Sequence, residues 1–449
     1  MLERKINTFL ANYYASTNKA LLIDGARQVG KTFSIRQFGK SNFDSFVEIN
    51  FVETPEAVSI FRDAADSADI LLRLSAFAGT KLQKGRTLVF FDEVQKCPEI
   101  VTAIKFLVDE GSYRYIMSGS LLEVELKGIS SVPVGYIDIR EMYPLDFEEF
   151  IRAVGVGSNV VDKLADCFKN LSPVDEVVHK RLMQLFRLYL VVGGMPAAVQ
   201  KYLNTNNLQE VIEEQQAIVR TYKMDIAQYD PDNKLYLDEI FDLIPSELNS
   251  KNKRFILKDI RADMKFSRYE SSFLWMSHAG VALPTYNVEE PVSPLRLARS
   301  RNLFKLFQND VGLLACQYAD GLQLRLLNGD ANINFGAVFE NFVAQELHAH
   351  GFALYYFNSK KQGELDFVYE LAGSAVPVEV KSGKYYERHN ALSNVLANPG
   401  YDIQRAQVLC NDNVRVDGKI AYLPIYMATF IRKPAAAPII YHADIEGLQ

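Results

Sequence analysis

A chain of 449 residues with 48% hydrophobic content is longer than one hydrophobic core usually serves, and about two to four domains are expected. A formal net charge of −6 excludes a chain coated throughout with basic residues for nucleic acid, although a local basic face can sit inside an acidic average. Four scattered cysteines (Cys97, Cys167, Cys316, Cys410) with no CxxC pair exclude a disulfide framework and a zinc ribbon, and they read as buried thiols.

The opening "MLERKINTFLANYY" carries charges inside its apolar pattern, and no uninterrupted apolar run reaches the length of a membrane span. No membrane partner and a cytoplasmic location are the expectations. The next segment, "ALLIDGARQVGKTFSI", is a strand-like run that breaks into a glycine-bounded loop and a helical stretch. Gly25, Gly30, Lys31 and Thr32 satisfy G-x-x-x-x-G-K-[ST], so the loop Gly25, Ala26, Arg27, Gln28, Val29, Gly30, Lys31, Thr32, Phe33 is expected to bind ATP. Its glycines free backbone N–H groups to curl around phosphate, Lys31 reaches the β/γ oxygens and the Thr32 hydroxyl ligates Mg²⁺.

Further along, "RTLVFFDEVQKCP" is an apolar strand ending in acid, where a Walker B element belongs. Asp92 is expected to hold Mg²⁺ and Glu93 to polarise the attacking water. "YRYIMSGS" ends in Ser118 and Ser120, which read equally as a γ-phosphate sensor or as a turn of small residues. With "SFVEIN" and "VGYIDI" these segments make five short strands alternating with helices, a parallel α/β sheet.

From about residue 159 to 229 the three- and four-residue apolar spacing predicts helices, either a lid near the nucleotide or a linker. Between residues 251 and 302 ten basic side chains stand against five acidic ones, and helical stretches precede the turn of "HAGV" and the strand-like "VALPTYNV". That order suits a winged helix, and the charge suits phosphate contact, although a solvated face gives a similar count. Trp275 reads as core rather than as a base-stacking platform.

"NFGAVFENFVAQELHAH" predicts an amphipathic helix with Glu340 near its start, followed by three strands. The two-residue repeat of a strand puts Glu364 and Asp366 on one face and Glu379 and Lys381 together on the next strand. Asp366, Glu379 and Lys381 then form the PD-(D/E)xK nuclease arrangement, two carboxylates for Mg²⁺ and a lysine to orient water. A solvated pair, or a fold that binds without cutting, gives the same pattern. The histidines contain no HExxH and one close pair, His348 and His350, and no zinc site is expected there.

The P-loop, "FFDEVQ", "IMSGSLLEVEL", "SVPVGYIDIREMYPLDFEEF" and "YLVVGGMPAAV" together resemble a prokaryotic family of AAA-superfamily ATPases related to the archaeal-type ATPases. The resemblance implies an N-terminal P-loop AAA-type sheet, a helical and winged-helix-like middle, and a C-terminal α/β restriction-endonuclease-like domain in which Glu340 is the helix acid. The expected domains are 1–158, 159–245, 246–320 and 321–449 in that order. Tyr136 stands where many relatives carry an arginine, so an arginine finger at that position is unsupported, and Arg140 and Arg114 are only guesses.

The expected cofactors are ATP and Mg²⁺, with catalysis by Lys31 and Glu93 at one site and by Asp366, Glu379 and Lys381 at the other. Thr32, Asp92, Glu340, Asp366 and Glu379 are the candidate metal ligands. DNA, a protein partner and a homo-oligomer stay open, and the rival reading is a regulatory ATP switch that cuts nothing. A GTPase is disfavoured by the absence of N-K-x-D.

Overall fold

Strand β1 (Ala20–Asp24) pairs in parallel with β4 (Arg114–Ser118) and β5 (Ile137–Glu141), and β3 (Thr87–Asp92) pairs in parallel with β4 and with β2 (Ser45–Asn50). The sheet order is β2-β3-β4-β1-β5. The structure, a computed structural model, describes residues 2–64, 66–79, 82–120, 133, 135–229, 234–250, 270–318, 321–330, 335–434 and 440–442.

The central strands β1, β3 and β4 are mostly buried because both faces of the sheet are covered there, whereas the edge strands β2 and β5 carry exposed or half-buried positions. Leu21 and Ile23 of β1 and Leu88 and Phe90 of β3 enter one core. Their neighbours Ala20, Leu22, Val89 and Phe91 enter a second core beneath the helices Ser67–Ala78 and Glu99–Glu110. Because β4 lies between β1 and β3, its C-terminal tip faces both the P-loop and the tip of the acidic strand.

Four helices follow, Ser158–Asn170, Glu176–Val192, Pro196–Thr205 and Leu208–Tyr229, where the sequence predicts helices. The glycines of "VVGGMP" are fixed by close approach. A Cβ on Gly194 would lie 2.0 Å from the Leu145 carbonyl oxygen, while Leu145 N donates to Gly194 O at 2.7 Å and Gly194 N donates to Asp310 Oδ2 at 2.6 Å. Among the described residues no single helix is long and apolar enough to cross a membrane.

Among the described residues that follow, an eight-stranded mixed sheet is interspersed with helices: β6 (Ala282–Val288), β7 (Arg299–Gln308), β8 (Tyr355–Ser359), β9 (Gly363–Leu371), β10 (Ser374–Val380), β11 (Ala406–Cys410), β12 (Arg415–Asp417) and β13 (Ile420–Pro424). Its order is β12-β13-β11-β10-β9-β8-β6-β7. The helix Gly336–Ala349 lies on one face and shares the first core with the helical middle and the N-terminal sheet.

The strands β6 and β7, read in the sequence as part of a winged-helix-like region, pair into the C-terminal sheet through β8. The basic residues from Lys251 to Arg268 lie outside the described residues. Trp275 is buried, and all four cysteines are buried free thiols.

Candidate functional site

The P-loop joins β1 to the helix Lys31–Asn42, and its backbone curls through positive φ at Gly25 (135°), Gln28 (65°) and Gly30 (94°). Such angles favour glycine, and Gly25 has a second reason: its Cβ would lie 2.2 Å from the Met142 carbonyl oxygen. Ala26 and Val29 are buried, whereas Gln28 and Phe33 are exposed.

Lys31 Nζ donates to the carbonyls of Gly25 and Ala26, both at 2.8 Å. Burial lowers its pKa to about 8, against the opposing pull of Asp24, Glu93 and Asp92. The ammonium is therefore held over the loop that it would leave to meet phosphate.

Asp92, at the buried tip of β3, gathers the polar groups of three neighbours. Thr32 Oγ1 donates to its Oδ2 at 3.0 Å, Asn50 Nδ2 to the same oxygen at 3.2 Å, and Ser118 Oγ to Oδ1. Glu93 sits in the left-handed region at φ 56°, and its carboxylate accepts from Gln95 Nε2. Ser118 thus contacts the candidate metal ligand from the intervening strand, while Ser120 Oγ accepts from Arg27 Nε at 3.3 Å.

Two braces on the loop carry no sequence motif. Arg4 donates to Val29 O at 2.9 Å and to Tyr143 O at 2.7 Å, and its Nε pairs with Glu149 Oε1 at 3.1 Å. Glu149 belongs to "PLDFEEF", where Asp146 caps the helix Phe147–Ala153 in a reciprocal capping box. The second brace is the helix Leu208–Tyr229: Tyr222 donates to Arg27 O at 3.1 Å, and Asp225 pairs with the Arg27 guanidinium. Arg140 lies 4.9 Å from the Phe9 ring centroid, Arg114 donates to Asn18, and Tyr136 receives Lys105 over its ring at 5.5 Å.

The second predicted cluster also comes together. Val378 on β10 pairs with Phe367 on β9, which sets Glu379 beside Asp366, and Val380 N donates to Asp366 Oδ2 at 2.8 Å. Lys381 Nζ donates to Glu379 Oε2 at 2.8 Å. Burial pushes the Glu379 carboxyl up to about 8, Asp366 and Glu340 push the same way, and Lys381 opposes them.

Sequence reasoning missed Lys305. It is fully buried on β7, 2.7 Å from Glu364 Oε1, 3.7 Å from Glu340 Oε2, and 4.9 Å from the Tyr356 ring centroid. One charged residue in the strand "NLFKLFQ" was its only signal.

Residues 17–151 match a family described as an AAA domain. The N-terminal module is a P-loop ATPase module of the AAA type. Downstream of the ATPase module, residues 183–324 and 335–427 match two families described as domains of unknown function, DUF8612 and DUF4143. The Walker-type ATPase of Pyrococcus abyssi is 13% identical, with a TM-score of 0.43, over 71% of this chain and 96% of that one. AMPPCP-bound DnaA from Aquifex aeolicus is 12% identical, with a TM-score of 0.30, over 62% of this chain and 80% of that one. The Aeropyrum pernix ORC1 protein, solved in complex with DNA, is 12% identical, with a TM-score of 0.23, over 72% and 92%. No curated protein matches the sequence.

Proposed function

We propose that the chain binds and hydrolyses ATP at the P-loop and couples that cycle to the carboxylate and lysine cluster of its C-terminal sheet. The observation that carries the first half is the 3.0 Å contact between Thr32 Oγ1 and Asp92 Oδ2, which brings the P-loop hydroxyl and the strand-tip acid to one point. These groups suit Mg²⁺, an ion that takes oxygen ligands, and Mg²⁺ supplies neutralisation of charge at the β/γ-phosphates.

Lys31 exchanges the carbonyls of Gly25 and Ala26 for phosphate oxygens. Glu93 accepts the proton of the attacking water, and Ser118 keeps Asp92 oriented. With Arg140 and Arg114 engaged elsewhere in the fold, an arginine from a second copy is the proposed source of transition-state charge, and the ATPase rate per chain rises with protein concentration. A rate independent of concentration in a monomeric sample removes that step.

At the second site Asp366, Glu379 and Glu340 are the proposed metal ligands, Lys381 the group that orients water, and DNA the proposed substrate. The rival reading, a switch that binds DNA or protein without cutting, is favoured by Lys305, 3.7 Å from Glu340, and Lys381, 2.8 Å from Glu379, which already counter those carboxylates. Labelled single-stranded, duplex and branched DNA, incubated with Mg²⁺ or Mn²⁺ with and without ATP, separates the two. Cleavage that is lost in Asp366→Ala and altered in Lys31→Ala supports the coupled nuclease. No cleavage alongside intact ATPase activity supports the switch.

A further inference from the structure

A third polar cluster lies apart from both sites, where the N-terminal module meets the C-terminal helix. Asp146, the cap of helix Phe147–Ala153, faces Glu346 and His350 at the end of helix Gly336–Ala349. Among the described residues these three are the one group whose candidate ligand atoms all lie within 4.8 Å of one another.

The ring of His350 is oriented from behind. Its Nδ1 stands 2.8 Å from the Ile431 carbonyl oxygen, an acceptor, so Nδ1 carries the proton and Nε2 is turned toward the carboxylates. Metal-binding histidines are held in this way, with the outer nitrogen donating to a carbonyl.

The separations distinguish a proton from a metal ion. His350 Nε2 lies 3.6 Å from Asp146 Oδ2 and 4.0 Å from Glu346 Oε2. Hydrogen bonds of this type span about 2.7–3.2 Å, so neither contact is one. Ligands about 2.0–2.1 Å from a tetrahedral zinc ion are roughly 3.3 Å apart, closer to what is seen here. Glu346 Oε2 and His350 Nε2 are both buried and have no hydrogen-bond partner, and the side chains are 0% and 8% exposed.

Glu346 Oε1 is already committed, accepting from Phe147 N at 2.8 Å, which leaves Oε2 for a ligand. A cleft of about 370 Å³ opens on Asp146 and His350 and gives an ion an entry path and room for a water ligand. One imidazole and two carboxylates suit a first-row transition dication better than Mg²⁺ or Ca²⁺. We propose that Asp146, Glu346 and His350 bind one Zn²⁺ ion, which clasps the ATPase module to the C-terminal domain.

Lys5 opposes the ion, because its ammonium bonds Asp146 Oδ2 and lies 2.9 Å from Glu148 Oε2. Its removal therefore sharpens the test. The full-length chain, stripped with chelator and free of nucleotide, is titrated with zinc chloride by calorimetry.

In an Asp366→Ala background, which disables the metal cluster proposed for the C-terminal sheet, one Zn²⁺ per chain is expected. In that background His350→Ala and Glu346→Gln should each weaken binding by more than the roughly 10–100-fold that loss of an outer partner costs, and Lys5→Met should tighten it. Glu346→Gln retains the acceptor for Phe147 N, and melting in chelator checks its fold. If His350→Ala does not fold, Co²⁺ absorption of the Asp366→Ala chain decides, since a low-coordinate N/O site gives intense visible bands. Absence of stoichiometric Zn²⁺, binding undiminished in both variants, or no such Co²⁺ bands overturns the proposal.

Discussion

Lys31 makes ATP affinity depend on pH in a calculable way. Burial holds its pKa at about 8, so the ammonium is roughly nine-tenths charged at pH 7 and roughly nine-tenths neutral at pH 9. Contact with phosphate favours the charged form, and binding at alkaline pH must therefore take up the missing proton. Because a lysine is lowered here, affinity is lost on the alkaline side. Between pH 7 and pH 9 it should fall about tenfold, or roughly 1.4 kcal/mol.

The assay is calorimetry of the full chain with a non-hydrolysable ATP analogue, in pairs of buffers of different ionisation heat. Proton uptake should climb from about 0.1 per chain at pH 7 to about 0.9 at pH 9. Lys31→Arg, whose charge does not titrate in this range, should bind with a flat profile. Constant affinity and constant uptake in the wild-type chain would show that Lys31 does not act through its charge on phosphate.

Glu93→Gln should retain analogue binding while single-turnover hydrolysis falls by about 10²–10⁴-fold, and an unchanged rate would assign the base elsewhere. Gly194→Ala drives a Cβ into the Leu145 carbonyl at 2.0 Å and should destabilise by about 1–3 kcal/mol or more, read as a lower melting temperature. With Glu379 pushed up to about 8, Mn²⁺ affinity at the C-terminal cluster should rise about tenfold per pH unit from pH 6 to 8 and level off above, because the ligand must first lose its proton. A flat titration would take Glu379 out of the ligand set. Lys305→Met leaves Glu340 and Glu364 without their buried counter-charge and should cost about 3–5 kcal/mol by denaturant unfolding, with an unshifted midpoint counting against that role.

The parts that could be read from the sequence are local. The P-loop, the acidic tip of β3 and the strand pairs Glu364/Asp366 and Glu379/Lys381 depend on spacings of a few residues, which fix a loop or a strand face directly. Arg4, Asp225 and Lys305 act across 25 to 198 residues of chain, and no spacing rule announces them. The same holds for β6 and β7. Their alternation reads as a hairpin in any setting, and only the parallel pairing with β8 decides which sheet owns them. The histidines show the limit most plainly: "HAH" reads as a close pair, but His348 turns to Glu141 at 3.6 Å while His350 meets an acid from 204 positions earlier.

The sheet order has a practical consequence for dissecting the chain. A fragment begun after residue 320 would lack β6 and β7, exposing the backbone edge of β8 to pairing with other copies. It would also lack Lys305, so its inward-facing acids would be burdened with uncompensated charge. Such a truncation would precipitate or bind metal artificially well, whereas a start upstream of β6 keeps the edge covered and the lysine in place.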